Sequence, residues 1–315
     1  MPAQFGLCLA GTGGIAAQHM KAFTALGGVT PRWVVSRTTD GAAHFALTWN
    51  FPASGVELAA ALLDPSVNLV VIASPSDLHT AQALQALEAG KHVIVEIPMA
   101  TNIADARRLA EAAKAAGRRV LVCHSMRSYP GIRELRRRVK FGELHLSHIA
   151  GYFTIPRRRN QSWARQRNWI DNLLWHHACH QVDAAMWVLG TEAVSRISGR
   201  LGKAHPRFGM ATDVAIHFEA GQGTLVSQAL SYNSEQFCWE LRFLGAEESF
   251  TWRNGRLLNE KDEDVVPESS WLDMTMQNRE MLNAIRTGGP SDFDIESMLP
   301  CMEVLHEAEK SAKSG

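Results

Sequence analysis

The stretch Gly11-Thr12-Gly13-Gly14-Ile15-Ala16 constrains this chain more than any other, because of what stands on either side of it. Before it, Phe5 to Ala10 is a short apolar run of buried-strand type; after it, a helical pattern continues through Ala25. A Gly-x-Gly-x-x-Ala turn between strand and helix lets a pyrophosphate come close to the helix N-terminus and its unpaired N–H groups. The bland alternative is an ordinary glycine-rich turn, and the strand-to-helix setting favours dinucleotide binding over it. Gly11, Thr12, Gly13, Gly14 and Ile15 are the cofactor candidates in this turn.

The next residues bear on which dinucleotide. After the second strand, Arg32 to Val35, an acidic side chain would take the ribose hydroxyls of NAD. Ser36-Arg37-Thr38 stands there instead, with Asp40 several residues late. A guanidinium flanked by hydroxyls suits a 2′-phosphate, so NADP is favoured over NAD. Helical pattern then recurs around Glu57 to Leu63, at His79 to Ala89 and at Ile103 to Ala116. Strand pattern recurs at Asn68 to Ala73, His92 to Glu96 and Val120 to His124. Such alternation predicts an α/β domain over residues 1–124, a doubly wound parallel Rossmann sheet with ligands at the C-terminal strand ends. Ser74, Pro75, Glu96, Ile97, Pro98 and His124 fall at those ends; for His124 a site role and a buried structural role are both open.

Beyond 124 the pattern changes. Pro130 suits the first position of a helix that closes at Gly142. Val214 to Phe218, Thr224 to Tyr232, Cys238 to Leu244 and Ser249 to Arg253 read as strands of an antiparallel sheet, and helices at about Trp271 to Arg286 and Glu296 to Lys313 end the chain. Residues 125–315 are therefore expected to form an α+β domain for substrate binding and dimerisation. A homodimer through the sheet face carrying Leu225, Phe237 and Trp239 is the expected assembly.

Composition excludes more than it selects. Thirty-two basic against thirty-two acidic residues gives no electrostatic case for nucleic acid or a membrane surface. The five cysteines are scattered without Cys-x-x-Cys pairs, which suits reduced thiols in a cytoplasmic protein. The apolar run at Phe5 to Ala10 is too short to span a bilayer.

The chemistry is expected in Trp175-His176-His177-Ala178-Cys179-His180-Gln181-Val182-Asp183. At helical spacing Leu174, Ala178, Val182, Ala185, Met186 and Leu189 form an apolar stripe, and His176, His180 and Asp183 share the opposite face. Imidazole titrates near neutral pH and a carboxylate can fix its tautomer, so this face suits proton transfer. His176 or His180 would be the base and Asp183 its orienter. A chelating pair is the rival reading, with Asp183 as third ligand or as the carboxylate that orients one. No cysteine spacing completes a zinc site, and hydride transfer needs no Lewis acid, so no metal is expected.

Just upstream, Arg157, Arg158, Arg159, Arg165 and Arg167 crowd into eleven residues. They form either an anion site or a solvated or subunit-bridging loop. The planar fork of arginine suits carboxylates, so a dicarboxylate would use several of them, with Arg127.

Together, Gly11-x-Gly13-x-x-Ala16 with His19, Ser74-Pro75-x-x-x-His79, Glu96-x-Pro98, Arg127-x-x-Pro130 and His180-x-x-Asp183 resemble the glucose-fructose oxidoreductase/inositol dehydrogenase (Gfo/Idh/MocA) family over nearly the whole chain. The resemblance adds Ser74, Pro75, His79, Glu96 and Pro98 to the cofactor candidates and implies that the last helix packs back toward the first domain. Two positions depart from the family pattern: Ile97 replaces a lysine, and His176 replaces an aspartate four residues before His180. With Leu173-Leu174-Trp175-His176-His177-Ala178, both are similar to the 4-carboxy-2-hydroxymuconate-6-semialdehyde dehydrogenases of protocatechuate 4,5-cleavage. That likeness implies oxidation of a cyclic hemiacetal to the lactone 2-pyrone-4,6-dicarboxylate, with NADP as acceptor. The alternatives are a sugar, polyol or dihydrodiol dehydrogenase of the same family, or a non-catalytic NADP-binding sensor.

Overall fold

The computed structural model describes residues 5–157, 161–162, 165–166, 172–267 and 273–314, and its helices and strands are those of the described residues. The chain divides into two compact units, Met1–His124 with Leu272–Leu299, and Ser125–Trp271 with Pro300–Gly315. The segment that joins the first unit thus contains the penultimate helix, whereas the last helix groups with the second unit.

In the first unit, strands β1 (Phe5–Ala10), β2 (Val29–Val35), β3 (Ala53–Gly55), β4 (Leu69–Ile72), β5 (His92–Val95) and β6 (Val120–Val122) alternate with helices α1 (Gly14–Leu26), α2 (Thr39–Trp49), α3 (Leu58–Leu62), α4 (His79–Glu88) and α5 (Ile103–Ala116). The strands pair in parallel in the order β3-β2-β1-β4-β5-β6. Every residue of β1 and β4 is buried, as expected for strands covered on both faces. The order reverses between β1 and β4, and a doubly wound sheet offers its ligand crevice at that switch point. Local chemistry sets the helix ends: Thr38 Oγ1 caps α2, Asn102 caps α5, and Gly117 closes α5 in the left-handed conformation.

In the second unit, α6 (Pro130–Lys140) starts at its proline and is followed by β7 (Leu146–Thr154) and the short pair β8 (Gln161–Ser162) and β9 (Arg165–Gln166). A π-helical turn at Leu173–Ala178 then leads into α7 (Cys179–Leu189). Strands β10 (Val194–Leu201), β11 (Asp213–Ala220), β12 (Thr224–Ser231), β13 (Cys238–Gly245), β14 (Ser249–Arg253) and β15 (Arg256–Leu258) follow. The order is β10-β11-β12-β7-β13-β14-β15. This sheet is mixed rather than purely antiparallel. β7 precedes the others in the chain yet lies at the centre, and its pairing with β12 is parallel. Helix α8 (Thr275–Thr287) belongs to the first unit and α9 (Leu299–Ser314) runs into the second. On β10, a Cβ at Gly199 would sit 2.1 Å from the Ala308 carbonyl oxygen, so only glycine lets α9 pack that closely.

The mixed sheet alternates in burial. Ile149, Phe153, Val226, Leu230, Leu241 and Phe243 face the core, while Tyr152 and Leu225 on the other parity are 49% and 53% exposed. Trp239 pairs with Phe153 and is 6% exposed, so it belongs to the core face and not, as the alternation suggested, to the open face with Leu225. No helix of the described residues is long and apolar enough to cross a membrane.

Candidate active site

The glycine turn sits at the switch point. Gly11 has φ +116°, and a Cβ there would lie 2.3 Å from the Ala73 carbonyl oxygen at the end of β4. Glycine is therefore required for the two strand ends to meet. Gly13, two residues on, is exposed, and a Cβ there would meet no atom within 4 Å. It is the N-cap of α1 and supplies no side-chain cap, so the first N–H groups of that helix carry no side-chain partner from it. That combination fits a pyrophosphate, for which the helix N-terminus offers donors and a favourable dipole.

The neighbouring turns are tied to this one. Thr12 Oγ1 lies 2.9 Å from Ser36 Oγ, joining the ends of β1 and β2. Thr38 Oγ1 accepts from the Gly41 N–H as the cap of α2. Arg37 is exposed and makes no ion pair with a described residue, the state a guanidinium needs to take up a phosphate. Ser74 Oγ donates to Gln82 Oε1 at 2.6 Å. His79, 1% exposed, sets Nε2 2.9 Å from the Ser74 carbonyl oxygen and Nδ1 2.8 Å from that of Pro98. Its ring thus fastens the β4 turn to the β5 turn. The Ile97-Pro98 bond is cis.

Behind β5, Glu96 Oε1 lies 2.9 Å from His19 Nε2, whose other ring nitrogen lies 3.1 Å from Asn278 Nδ2. Cys123 Sγ is 3.9 Å from the same His19 Nε2. The donor atoms of His19, Glu96 and Cys123 lie within 4.8 Å of one another, a grouping that could hold a metal ion. Burial, and then the Glu96 charge, push the Cys123 thiol well above its ordinary range. Hydrogen bonds tie His19 to Glu96 and to Cys123. Neither Gln82 nor Asn278 carries a sequence signal that points to its place.

In the second unit the histidines gather around an aromatic wall. Asn172 Oδ1 accepts from the Leu174 and Trp175 N–H groups and starts the π-helical turn. The His177 ring stacks on Phe153 at 4.5 Å, meets His176 edge-on at 4.6 Å and lies 5.6 Å from Tyr232. His180 lies 5.1 Å from Trp239. All three imidazoles are half-buried. A π-turn inside a helix is often found at functional sites, and this one places His177 in the same cluster as His176. His177 stands in the motif, but strict α-helical spacing passes over it.

Asp183 is placed otherwise than the helical face suggested. It is 1% exposed, and its carboxylate takes both arms of the Arg127 guanidinium, Nε to Oδ2 at 2.8 Å and Nη2 to Oδ1 at 2.5 Å. Arg127 is itself 4% exposed. The carboxylate expected beside His180 and the guanidinium expected to hold substrate are each other's partners. From Cys179 to Val188 every residue of α7 except His180 is buried, so the helix has no polar face for Asp183 to share. His124 is 2% exposed, which fits the structural role rather than an open one. Arg157 is 8% exposed, and its backbone N–H donates to the Tyr232 carbonyl oxygen. Arg158, Arg159 and Arg167, and the side chain of Arg165, lie outside the described residues.

Comparison with known proteins agrees with this geometry. Residues 5–124 match the model of the Gfo/Idh/MocA oxidoreductase family, NAD-binding Rossmann fold, and residues 130–269 match that of bacterial oxidoreductases, C-terminal. The chain is 30% identical over 310 residues to 4-carboxy-2-hydroxymuconate-6-semialdehyde dehydrogenase of Sphingobium sp. (strain NBRC 103272 / SYK-6), covering 96% of this chain and 97% of the relative. Two solved structures share the fold. GenD2 from gentamicin A biosynthesis in complex with NAD superposes with a TM-score of 0.86 at 21% identity, covering 100% of this chain and 96% of that one. Levoglucosan dehydrogenase in complex with NADH and L-sorbose gives 0.87 at 17% identity, covering 99% and 97%. The Rossmann unit with its open glycine turn, the mixed-sheet second unit and a full-length relative at 30% identity together show that the chain belongs to the Gfo/Idh/MocA family of oxidoreductases.

Proposed function

We propose that this chain is an NADP-dependent dehydrogenase that oxidises the cyclic hemiacetal of 4-carboxy-2-hydroxymuconate-6-semialdehyde to 2-pyrone-4,6-dicarboxylate. The observation that carries the reading is a displacement of basic chemistry. Ile97, where the family pattern has a lysine, is 5% exposed and cannot take a proton, while His176, His177 and His180 form a half-buried cluster. The Sphingobium relative, similar over its whole length, is named for this substrate.

The nicotinamide coenzyme supplies the hydride acceptor when bound. On the chain's side, Gly11, Thr12, Gly13, Gly14 and Ile15 would cradle the pyrophosphate. Ser36, Arg37 and Thr38 would hold the 2′-phosphate that distinguishes NADP, with Ser74, Pro75, Glu96 and Pro98 along the strand ends and His79 bracing the turns. His176 or His180 accepts the proton of the hemiacetal hydroxyl, so that the electron pair of the C–H bond leaves as hydride while the C=O bond of the lactone forms. The aromatic wall of Phe153, Tyr232 and Trp239 backs the rings of His177 and His180. Arg157 and its neighbours in the 157–167 run would pair with the substrate carboxylates, and no metal enters the step. The five cysteines are free thiols, consistent with a cytoplasmic setting. The open sheet face bearing Tyr152 and Leu225 would be covered by a second copy in a homodimer.

The test separates binding from chemistry. His176→Ala or His180→Ala should lower kcat by roughly 10²- to 10⁴-fold, the usual loss with a general base. Charge-removing changes in the arginine run should chiefly raise KM, because those contacts are alike in ground and transition states. Full kcat in both histidine variants would refute the assignment.

A further inference from the structure

Asn278 lies far from every motif in the chain, yet it ends a line of buried groups that reaches the nucleotide unit's ligand side. It sits on α8, within the first unit, and is fully buried, as is His19 on α1. Nδ2 of Asn278 is 3.1 Å from His19 Nδ1, and His19 Nε2 is 2.9 Å from Glu96 Oε1. Stacking on Phe23 at 5.8 Å holds the His19 ring in its plane.

The hydrogens of this line follow from its far end. A carboxylate oxygen is an acceptor, so His19 must present an N–H at Nε2 to bond Glu96. A neutral imidazole carries one N–H, which leaves a lone pair at Nδ1 and requires a donor opposite it. Among the described residues the amide nitrogen of Asn278 supplies it. With the amide turned over, its oxygen would face that lone pair and the bond would be lost. In this orientation Asn278 Oδ1 is buried with no hydrogen-bond partner among the described residues. Glu96 in turn precedes the cis Ile97-Pro98 turn whose Pro98 carbonyl His79 grips.

We infer that Asn278 is a positioning residue for the dinucleotide site: it fixes His19 in the Nε2–H tautomer, and His19 in turn orients the Glu96 carboxylate at the end of β5. The inference rests on the reading of the glycine turn as a dinucleotide site. It makes a segment from the far end of the chain part of the coenzyme site's support, without contact to the coenzyme.

Two-bond ¹H–¹⁵N correlation on protein labelled in histidine, with His19→Gln for assignment, reads the tautomer directly. The wild type should show His19 protonated at Nε2 and not at Nδ1. Asn278→Leu, similar in shape but without a donor, should reduce that preference to what Glu96 alone enforces and weaken NADP binding about three- to tenfold, the effect of one lost hydrogen bond. Its kcat at saturating coenzyme should change less. Asn278→Asp should protonate both ring nitrogens, because a carboxylate then faces each of them. His19 protonated at Nδ1 in the wild type, or at both nitrogens, overturns the inference whatever the variants do. An Asn278→Leu protein that keeps wild-type coenzyme affinity overturns it as well. A wild type that binds no dinucleotide overturns both this and the dinucleotide reading, whereas normal binding with the wrong tautomer overturns this alone.

Discussion

Two alanine substitutions two residues apart should have opposite outcomes. Gly13 has φ −81° and ψ −175°, a conformation any L-residue adopts, and a Cβ there meets nothing within 4 Å. Gly13→Ala gains roughly 0.4 to 1 kcal/mol by restricting the unfolded chain, and loses a similar amount because alanine is a poorer N-cap than glycine. The net change in stability should stay within about 0.5 kcal/mol. The new methyl, however, occupies the space through which a pyrophosphate reaches the α1 N–H groups. Losing one charge-assisted hydrogen bond there, about 1.5 to 3 kcal/mol, weakens NADP by roughly ten- to a hundredfold. Gly11→Ala should do the reverse in kind. Its Cβ would be 2.3 Å from the Ala73 carbonyl oxygen at φ +116°, so it should cost more than about 3 kcal/mol of stability through strain and displaced backbone. Urea unfolding followed by calorimetric titration with NADP measures both quantities. A Gly13→Ala protein of normal stability that binds NADP like the wild type would refute the placement of the pyrophosphate.

Three further outcomes follow from the same structure. Asp183→Asn removes the carboxylate charge that both arms of the buried Arg127 guanidinium face and should cost about 3 to 5 kcal/mol, most of it recovered in Arg127→Met/Asp183→Leu; a loss under about 1 kcal/mol with kcat abolished would return Asp183 to a direct role beside His180. Arg37→Ala should weaken NADP about tenfold, a charged hydrogen bond reduced by exposure, and leave NAD nearly unchanged; equal losses for both would remove Arg37 from cofactor choice. Hydrogen bonds from Arg137 and then Arg138 hold the Glu134 carboxyl down to about 2 from its ordinary 4.5, so its contribution is present above pH 4.5 and lost as the pH falls toward 2. Glu134→Gln should therefore flatten the acid limb of the stability profile in that window, and an unchanged limb would show the network to be inert.

The nucleotide unit was legible because its signals are local. A glycine turn between strand and helix, runs of Val and Ile, and an Asn102-to-Gly117 helix frame all act within a few residues, and all appear in place. Helix α2 did not stand out, since Gly, Thr and His dilute its pattern and its start depends on the Thr38 cap. The second unit was harder. Reading Val214 to Arg253 in order suggests neighbouring antiparallel strands, but β7, from far upstream, inserts between β12 and β13, and no local pattern records a long-range pairing. The same limit applies to the site. The helix of His176, His180 and Asp183 assumed 3.6 residues per turn, and the π-turn breaks that spacing. Tertiary burial then turned Asp183 toward Arg127, 56 residues away, and brought Asn278 to His19 across 259 residues. Partners at such separations leave no mark in one sequence.

The most direct test of the account is turnover itself. Purified protein would be mixed with 4-carboxy-2-hydroxymuconate-6-semialdehyde generated in the cuvette, with NADP or NAD, and reduced coenzyme and organic product measured together. The account predicts equimolar NADPH and 2-pyrone-4,6-dicarboxylate, a kcat/KM higher with NADP than with NAD, and little activity on neutral sugars or inositols. Faster oxidation of a neutral sugar or polyol than of this dicarboxylate would contradict it.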